Sequence, residues 1–267
     1  MKIFDKKLLR QNRNRAAKNL AQFDFLFKEI AMEIIDQIAD LEKLNCARIL
    51  EIGARNGFLG QEIIKNKKEK NIFLVQTDCS FLMVKNNHNC ATKLIMDDEL
   101  LAFKEQSFDL ILSNLNLHFI NDLPTNLAQI RKILKTNGLF IASFFGGKNL
   151  HELRQIFYAC EEEIYGGISP RLIPFIDAAD AGKLMLKAGF RNSISQSKKI
   201  NISYSNPLKL LTDLKQMGEA NILYSRSKKF ISRKFLTRFG ELYKQNYSDD
   251  EGQVNATFEI VIISGWN

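Results

Sequence analysis

The stretch that decides the fold is residues 48–60, RILEIGARNGFLG, in which an apolar strand runs into a glycine turn. A second apolar strand, NIFLVQTD, follows and ends at Asp78. In α/β sheets, a glycine turn lets the backbone approach a ligand, and an acidic residue about 20 positions later accepts hydrogen bonds from ribose hydroxyls. The pairing of this turn with Asp78 therefore predicts a nucleoside site.

The spacing of the glycines distinguishes between nucleoside ligands. The dinucleotide pattern G-x-G-x-x-G needs glycines at 53, 55 and 58, where the chain has Gly53, Arg55 and Phe58. The S-adenosylmethionine turn of class I methyltransferases, acidic-x-G-x-G-x-G, keeps its acidic residue at Glu51 and two of its three glycines, Gly53 and Gly57. The phosphate-loop pattern is absent from the sequence. The predicted ligand is therefore S-adenosylmethionine.

Arg55 departs from this pattern. The middle glycine lets the backbone pass close to the methionine part of the ligand, and a side chain at that position must turn away or clash. The alternative is a fold that has lost its ligand.

Composition indicates a globular protein. The chain has 267 residues, of which 45% are hydrophobic and 25% charged, enough for one domain with additions or at most two domains. The formal net charge of +8 would suit an acidic partner. The basic residues are mostly scattered, as on a solvated surface, so no nucleic-acid partner is predicted. Two denser segments, 2–18 and 226–238, are candidates for contact with a macromolecule.

The cysteines give no sign of a metal site. Cys46, Cys79, Cys90 and Cys160 form no C-x-x-C pair, and no histidines complete a zinc pattern. We expect reduced thiols, no metal and a reducing compartment. No apolar run approaches the roughly 18 residues of a membrane span, which leaves only peripheral membrane association open.

Helix and strand patterns alternate along the chain and predict a Rossmann-like α/β fold with seven mostly parallel strands. We expect an N-terminal helical segment over 1–45 and a methyltransferase-like domain over 46–267, with a helical insertion at about 205–245 as a lid over the ligand. The predicted strands are 49–52, 72–76, 93–96, 108–113, 139–144, 193–204 and 256–264. The predicted helices are 13–38, 58–65, 80–86, 123–134 (closed by Asn137-Gly138), 150–162, 178–188 and 208–243.

Two acidic residues end the first two strands. The carboxylate of Asp78 is the strongest candidate for a cofactor contact, because it can bind a vicinal diol through two charge-assisted hydrogen bonds. A competing role for Asp78 is the N-cap of the helix that starts near Ser80. Glu51 is placed either to meet the cofactor ammonium or to accept hydrogen bonds from the turn in a purely structural role.

Further candidates follow the third and fourth strands. Asp97 and Asp98 stand where methyltransferases commonly receive the adenine amino group, although adjacent acids in a loop are often solvated. Asn114 would lie beneath the sulfonium, where positioning supplies most of the rate of methyl transfer. His118 is a candidate general base, but a loop histidine that packs against Phe119 is the more common arrangement. Asn114 and His118 are the two catalytic candidates.

Several longer stretches carry a resemblance to a known family. They are FDKKLLRQNRNRAAKN, LLAFKEQSFDLILSNLNLHFINDLP, FFGGKNLHELR, ISPRLIPFIDAADAGKLMLKAGF, LKQMGEAN and ATFEIVIISGW. Together they resemble the methyltransferase-like complex I assembly factor family, nearly from end to end. The resemblance implies the class I methyltransferase fold and S-adenosylmethionine binding through Glu51, Gly53, Gly57, Asp78 and Asp97.

The resemblance also implies a partner. The mitochondrial member of the family is reported to hydroxylate an arginine of an iron–sulfur subunit of respiratory complex I, which implies a protein substrate. It implies a cytoplasmic location, or the mitochondrial matrix if the source is eukaryotic. The family usually keeps the full glycine trio, so Arg55 is a departure. Hydroxylation needs an oxidant, and the sequence offers no recognisable residues to bind one.

Three functions are therefore expected as alternatives. The first is an enzyme that modifies a protein substrate during complex I assembly. The second is an O-methyltransferase that acts on a small or carrier-bound carboxylate, as in the related malonyl-ACP O-methyltransferases of biotin synthesis. The third is a non-catalytic assembly chaperone, which Arg55 favours.

Overall fold

A seven-stranded sheet organises the protein. The computed structural model describes residues 2–39, 41, 44, 46–66, 71–87, 91–228 and 230–267. The strand order is β3-β2-β1-β4-β5-β7-β6, in which β7 pairs antiparallel with both β5 and β6 and the other pairs are parallel. The predicted seven-stranded, mostly parallel sheet is confirmed. Its strands are β1 Arg48–Ile52, β2 Phe73–Asp78, β3 Thr92–Ile95, β4 Phe108–Ser113, β5 Leu134–Phe145, β6 Arg191–Tyr204 and β7 Val254–Trp266.

Helices cover both faces of this sheet, as predicted. The central strands are buried on both faces, which is why they read as continuous apolar runs. One apolar layer lies between the sheet and the face that carries α2, α6 and α9, and the other lies beneath α5 and α7. The helices are α1 Lys6–Ala16, α2 Phe25–Ala39, α3 Phe58–Asn66, α4 Phe81–Asn86, α5 Leu123–Ile133, α6 His151–Tyr165, α7 Ala178–Lys187, α8 Pro207–Met217 and α9 Arg233–Tyr247.

The N-terminal helical segment differs from its prediction. The single helix predicted over 13–38 is wrong, because the chain forms α1 and α2 with a short 3-10 turn, Leu20–Gln22, between them. Apolar residues that recur at helical spacing from Leu26 to Ile38 belong to α2 alone. The break lets α1 pack against α8 and α4, while α2 packs against α3. As a result, α1 reaches the carboxyl edge of the sheet.

The predicted long helix at 208–243 is also two helices. Gly218 ends α8 with a φ of +84°, a conformation that glycine adopts without strain. Outside helices and the named strands, residues 219–228 and 230–232 then lead to α9. The insertion between β6 and β7 is therefore helical as expected, but its middle is a loop. This loop carries Glu219 into the candidate site.

A smaller correction concerns Asn137 and Gly138. They were predicted to close α5, but α5 ends at Ile133 and both residues lie within β5. Asn137 has a φ of +59°, and its N–H donates to the carbonyl oxygen of Asn267. The strand pairing between β4 and β5 shifts register at this point. The N-G pair thus marks an irregularity in the strand, not a helix end.

Two expectations about the whole chain can be compared with the structure. Cys46, Cys79 and Cys160 form no disulfide with one another, and Cys90 lies outside the described residues. None of the helices in the described ranges is long and apolar enough to cross a membrane.

Candidate functional site

The glycine turn follows β1 at the carboxyl edge of the sheet. Gly53 has a φ of +68° and Gly57 a φ of +75°. A Cβ on Gly53 would lie 2.3 Å from the Cγ of Asn116, so only glycine fits there. The turn is tied to β2, because the Ala54 N–H donates to the Thr77 carbonyl over 2.8 Å. The predicted turn is therefore present, and it faces the end of β2.

Arg55 occupies the middle of this turn and points inward. Its backbone is left-handed, with a φ of +49°, and its side chain is buried. Nη1 donates to the Asn114 carbonyl and Nη2 to the Leu115 carbonyl, both over 2.7 Å. Nη2 also lies 2.8 Å from Glu219 Oε1, and the guanidinium carbon lies 4.0 Å from the ring centre of Phe27. The side chain thus neither turns out to solvent nor clashes: it fills a guanidinium site at the end of β4.

A second buried arginine enters from α1. Arg13 Nη1 lies 3.1 Å from Asp78 Oδ2 and 3.8 Å from Asp98 Oδ2, and Nη2 donates to Asn116 Oδ1. The carboxylates around it raise the pKa of Arg13 despite its burial. Sequence reasoning missed this residue. A signal existed, because Leu9, Asn12, Arg13 and Ala16 recur at helical spacing and form the buried face of α1.

Asp78 lies where the sequence predicted, at the end of β2, and it is buried. Its Oδ1 accepts from the Ser80 N–H over 2.8 Å, and its Oδ2 accepts from the Arg55 N–H over 3.2 Å as well as from Arg13. The N-cap of α4 is Ser80, whose Oγ accepts from the Met83 N–H. The carboxylate that would bind a ribose is thus engaged by a guanidinium in this conformation.

Asp97 and Asp98 have different environments although they are adjacent. Asp98 is buried, and its Oδ2 accepts from Asn116 Nδ2 over 3.0 Å. Burial raises the pKa of Asp98, while Arg13 counteracts this. The side chain of Asp97 is 45% exposed and lies 3.9 Å from the ammonium of Lys6. The structure therefore brings Asp98 into the site and leaves Asp97 at its rim.

Glu51 lies behind the turn. Its Oε2 accepts from the Gly60 N–H over 3.1 Å and from Gln76 Nε2 over 2.6 Å. Burial raises the pKa of Glu51 to about 7, against the lowering effect of these hydrogen bonds. This arrangement corresponds to the structural role that the sequence left open.

Asn114 holds the site together through both ends of its amide. Nδ2 donates to the Phe27 carbonyl over 2.8 Å, and Oδ1 accepts from Ser143 Oγ over 2.9 Å. Its own backbone carbonyl accepts from Arg55. The side chain is therefore fully engaged within the protein, which does not favour a catalytic role in this conformation.

His118 lies in a short 3-10 turn after β4 and packs against aromatic rings. Its ring centre is 4.3 Å from that of Phe119 and 4.7 Å from that of Phe145. Nε2 lies 2.9 Å from Glu219 Oε2. Burial lowers the pKa of His118, and the Glu219 carboxylate partly offsets this. A neutral ring that donates from Nε2 to Glu219 leaves the Nδ1 lone pair as an acceptor.

Several buried atoms of this cluster lack a partner among the described residues. They are Arg13 Nε, Arg55 Nε, Asp98 Oδ1 and His118 Nδ1. Buried polar atoms are normally hydrogen-bonded. Four such atoms in one cluster favour a place where ordered water or a polar ligand binds.

The space for a ligand is small. The cavity lined by the turn residues Gly53 and Arg55 together with Asn114 measures about 10 Å³, whereas ligand pockets usually measure about 300–1,000 Å³. The buried carboxylates of Asp78 and Asp98 suit a nucleoside. In this conformation, however, the guanidinium groups of Arg13 and Arg55 occupy the space that a nucleoside would need. Binding of S-adenosylmethionine at this edge would therefore require Arg13 and Arg55 to move from their present positions. Within the described ranges, no three metal-ligating side chains come together.

The sheet order with an antiparallel β7 and the glycine turn at the carboxyl edge define a protein of the class I methyltransferase fold. The family model described as "Methyltransferase domain" matches residues 50–142. The mouse mitochondrial arginine-hydroxylase NDUFAF5 is 34% identical over the whole of this chain and 78% of its own length. The chain therefore belongs to the family of the arginine-hydroxylase NDUFAF5, and the predicted assembly-factor resemblance is confirmed.

Two further similarities fit this assignment. The malonyl-[acyl-carrier protein] O-methyltransferase of Gallionella capsiferriformans is 26% identical over 99% of this chain and 91% of its own length. The phosphoethanolamine N-methyltransferase 2 of Haemonchus contortus, solved in complex with S-adenosyl-L-methionine, superimposes with a TM-score of 0.59 at 15% identity. It covers 97% of this chain and 60% of the nematode chain. This likeness concerns the fold.

Proposed function

We propose that this protein is an enzyme that modifies an arginine side chain of a protein partner during assembly of respiratory complex I. The observation that carries the proposal is the guanidinium site formed by the Glu219 carboxylate, the carbonyls of Asn114 and Leu115, and the face of Phe27. A carboxylate, carbonyl acceptors and an aromatic face are the groups that recognise arginine. In the described conformation, the guanidinium of Arg55 from the same chain occupies this site.

The relatives support the same conclusion. The mouse relative is named an arginine-hydroxylase and matches the whole chain at 34% identity, while the malonyl-carrier methyltransferase stands at 26%. A partner's arginine would take the place of the Arg55 guanidinium on Glu219, the carboxylate that also pairs with His118 Nε2. We infer that S-adenosylmethionine binds the acidic side of the same edge once Arg13 has left Asp78 and Asp98.

The test is a comparison of arginine modification in complex I subunits. A deletion strain would be complemented with the wild type, with Glu219→Gln, or with the control Glu105→Gln at a surface position. Mass spectrometry should find a modified arginine with the wild type and the control, and none with Glu219→Gln. A gain of one oxygen would indicate hydroxylation, and a gain of one methyl group methylation. Normal complex I without the gene would contradict the proposal.

A second candidate is the non-catalytic assembly chaperone, favoured by Arg13, which pairs with the predicted ribose carboxylate of Asp78, and by Arg55 in place of the middle glycine. Calorimetry with S-adenosylmethionine on the wild type, Asp78→Ala and Arg55→Gly distinguishes the two candidates. Binding that Asp78→Ala abolishes supports the enzyme. Absence of binding both to the wild type and to folded Arg55→Gly supports the chaperone.

The carrier-bound carboxylate alternative has its own test. Rescue of a biotin auxotroph that lacks the malonyl-carrier methyltransferase would support it. Failure to rescue, with the protein present at normal levels, would count against it.

A further inference from the structure

A larger cavity borders on His118, outside the glycine turn. It measures about 260 Å³ and lies between the loop after β4, the start of α5, the stretch before α7 and the N-terminal residues. Every described residue that lines it, apart from His118 and Asn121, is apolar, and the lining includes Phe4, Phe144 and Phe175. We call it the aromatic pocket. Apolar walls with a few polar groups are typical of sites that bind small organic groups.

One of the two polar side chains in the lining is fully used by the protein. Asn121 Oδ1 accepts from the N–H groups of Ile3 and Phe4 over 2.7 and 2.8 Å. Its Nδ2 donates to the Phe4 carbonyl over 3.3 Å and to Glu99 Oε1 over 3.0 Å. Asn121 therefore fixes the N-terminal wall of the aromatic pocket. The polar group that remains for a ligand is the ring of His118.

His118 offers one acceptor to this pocket. Its Nε2 lies 2.9 Å from Oε2 of Glu219, the carboxylate whose other oxygen pairs with Arg55. A carboxylate in an ion pair only accepts hydrogen bonds, so the proton of the neutral ring lies on Nε2 and the lone pair on Nδ1. Burial lowers the pKa of His118, in agreement with a neutral ring. Nδ1 is buried and has no partner among the described residues.

We propose that the aromatic pocket binds the phenol ring of a tyrosine side chain that the protein partner carries close to its arginine. The phenol O–H would donate to His118 Nδ1, and the ring would pack between Phe4, Phe144 and Phe175. A ring without a donor would leave Nδ1 unpaired. A charged group would lose its hydration among apolar walls. Tyrosine combines an apolar body with one donor.

This inference rests on the proposed function, because it places the partner's arginine on Glu219. The two sites are joined through that residue, since one carboxylate oxygen faces the guanidinium site and the other faces His118. The volume agrees with a single side chain, because about 260 Å³ is slightly less than the roughly 300–1,000 Å³ of pockets for whole ligands. The pocket would therefore select the arginine by its neighbour.

The first experiment measures the pocket alone, with the full-length protein and two small probes. By ligand titration in NMR, p-cresol, the tyrosine side chain without its backbone, should bind about two- to tenfold more tightly than toluene, which lacks the donor. The ring nitrogen signal of His118 Nδ1 should shift with p-cresol and not with toluene. His118→Phe should bring the affinity for p-cresol down to that for toluene.

A filled pocket and a matched control complete this experiment. Leu184→Trp on α7 places a large ring in the lining and should abolish binding of p-cresol. Leu186→Trp, two positions along the same helix, replaces a leucine that is 64% exposed and should bind p-cresol like the wild type. If the folded wild type binds p-cresol no better than toluene, or if Leu184→Trp leaves binding unchanged, the aromatic pocket is overturned and Nδ1 belongs to an ordered water.

The second experiment asks where the phenol comes from. Peptides with tyrosine at successive positions on either side of an arginine are compared with the same peptides carrying phenylalanine. At least one tyrosine peptide should bind more tightly than its phenylalanine counterpart, and Leu184→Trp should remove the difference. Binding of p-cresol without any such difference would assign the pocket to a free phenolic compound and overturn the partner side chain. Binding of p-cresol in a protein that modifies no arginine would support the pocket and overturn the proposed function instead.

Discussion

Two buried polar networks meet at the glycine turn, and they differ in completeness. Behind the turn, Glu51 accepts from Gly60 and Gln76, and Gln76 Oε1 in turn accepts from Asn87. No side-chain atom of Glu51, Gln76 or Asn87 is among the buried atoms without a partner in the described part of the chain. In front of the turn, Arg13, Arg55 and their neighbours leave several atoms unpaired.

The difference separates a structural network from a binding site. A complete network fixes a single conformation, because each group is held by all of its partners. In an incomplete network, every unpaired buried atom lowers the stability of the protein. A ligand that forms hydrogen bonds with these atoms removes this cost when it binds. We therefore assign a purely structural role to the Glu51 side of the turn, and ligand exchange in addition to a structural role to the Arg13 and Arg55 side.

The largest expected effect comes from Arg13→Met. Removing the cation leaves Asp78 and Asp98 buried without their common partner, and breaking a buried ion pair in this way costs about 3–5 kcal/mol. Denaturant unfolding measures the loss. Arg10→Met, an exposed position on the same helix, should change the free energy of unfolding by less than about 0.5 kcal/mol.

A double variant sharpens this test. Arg13→Met combined with Asp98→Asn removes one of the two carboxylates that the single variant leaves without a cation. The double variant should therefore regain part of the lost free energy of unfolding. A single variant as stable as Arg10→Met would mean that the Arg13 guanidinium contributes nothing to the stability of the fold.

The second effect is a pH dependence at Glu51. Burial raises the pKa of Glu51 from 4.5 to about 7, so the folded protein holds this proton more tightly than the unfolded chain. The stability that Glu51 contributes is fully present below pH 4.5 and is lost as the pH rises through 7. The shift corresponds to about 3 kcal/mol. Glu51→Gln keeps an acceptor for Gly60 and removes the titration.

Thermal unfolding at pH 5 and pH 8 tests this. The advantage of Glu51→Gln over the wild type should grow between the two values by up to about 3 kcal/mol. Glu105→Gln, at an exposed ion pair with Lys132, serves as the control and should follow the wild type. Parallel curves for Glu51→Gln and the wild type would show that the carboxylate titrates normally.

Arg55→Gly addresses the other guanidinium. Glycine adopts the left-handed backbone without strain, and His118 can take up a proton to balance the charge of Glu219. The free energy of unfolding should therefore fall by about 2 kcal/mol, less than for Arg13→Met. Since Arg55 is one of the groups that lower the pKa of His118, this pKa should rise. An NMR titration of the His118 ring, assigned with His118→Asn, measures it. An unchanged pKa would separate His118 electrostatically from Arg55.

Local patterns predicted most of the sheet and the turn. The strands are apolar runs with clear ends, and Gly53 and Gly57 stand at left-handed positions where a side chain would be strained. The packing of His118 against Phe119 also followed from their adjacency. These features depend on residues that are close in the sequence, so periodicity and spacing are enough to predict them.

The side chains that fill the candidate site could not be predicted in the same way. Arg13 meets Asp78 across 65 positions, and Arg55 meets Glu219 across 164. Helical spacing could have marked Arg13 as buried, but no local pattern identifies the partner in either contact, because the two partners are far apart in the sequence. The sequence marked Arg55 as an anomaly, but only the fold supplies the carboxylate and the carbonyls that accommodate it.

The smallest effect concerns Asp97, which the resemblance implied as a cofactor contact. Its side chain is half exposed and pairs with Lys6 at 3.9 Å, so Asp97→Asn should change stability by less than about 0.5 kcal/mol. It should also leave S-adenosylmethionine binding unchanged in calorimetry. Asp98→Asn is the matched variant, and it should weaken binding, because Asp98 is the buried acid beside Asn116. In the reverse result, only Asp97→Asn would lose binding. This outcome would mean that the loop after β3 rearranges when Arg13 moves away. Asp97, which lies at the rim in this conformation, would then belong to the adenine site.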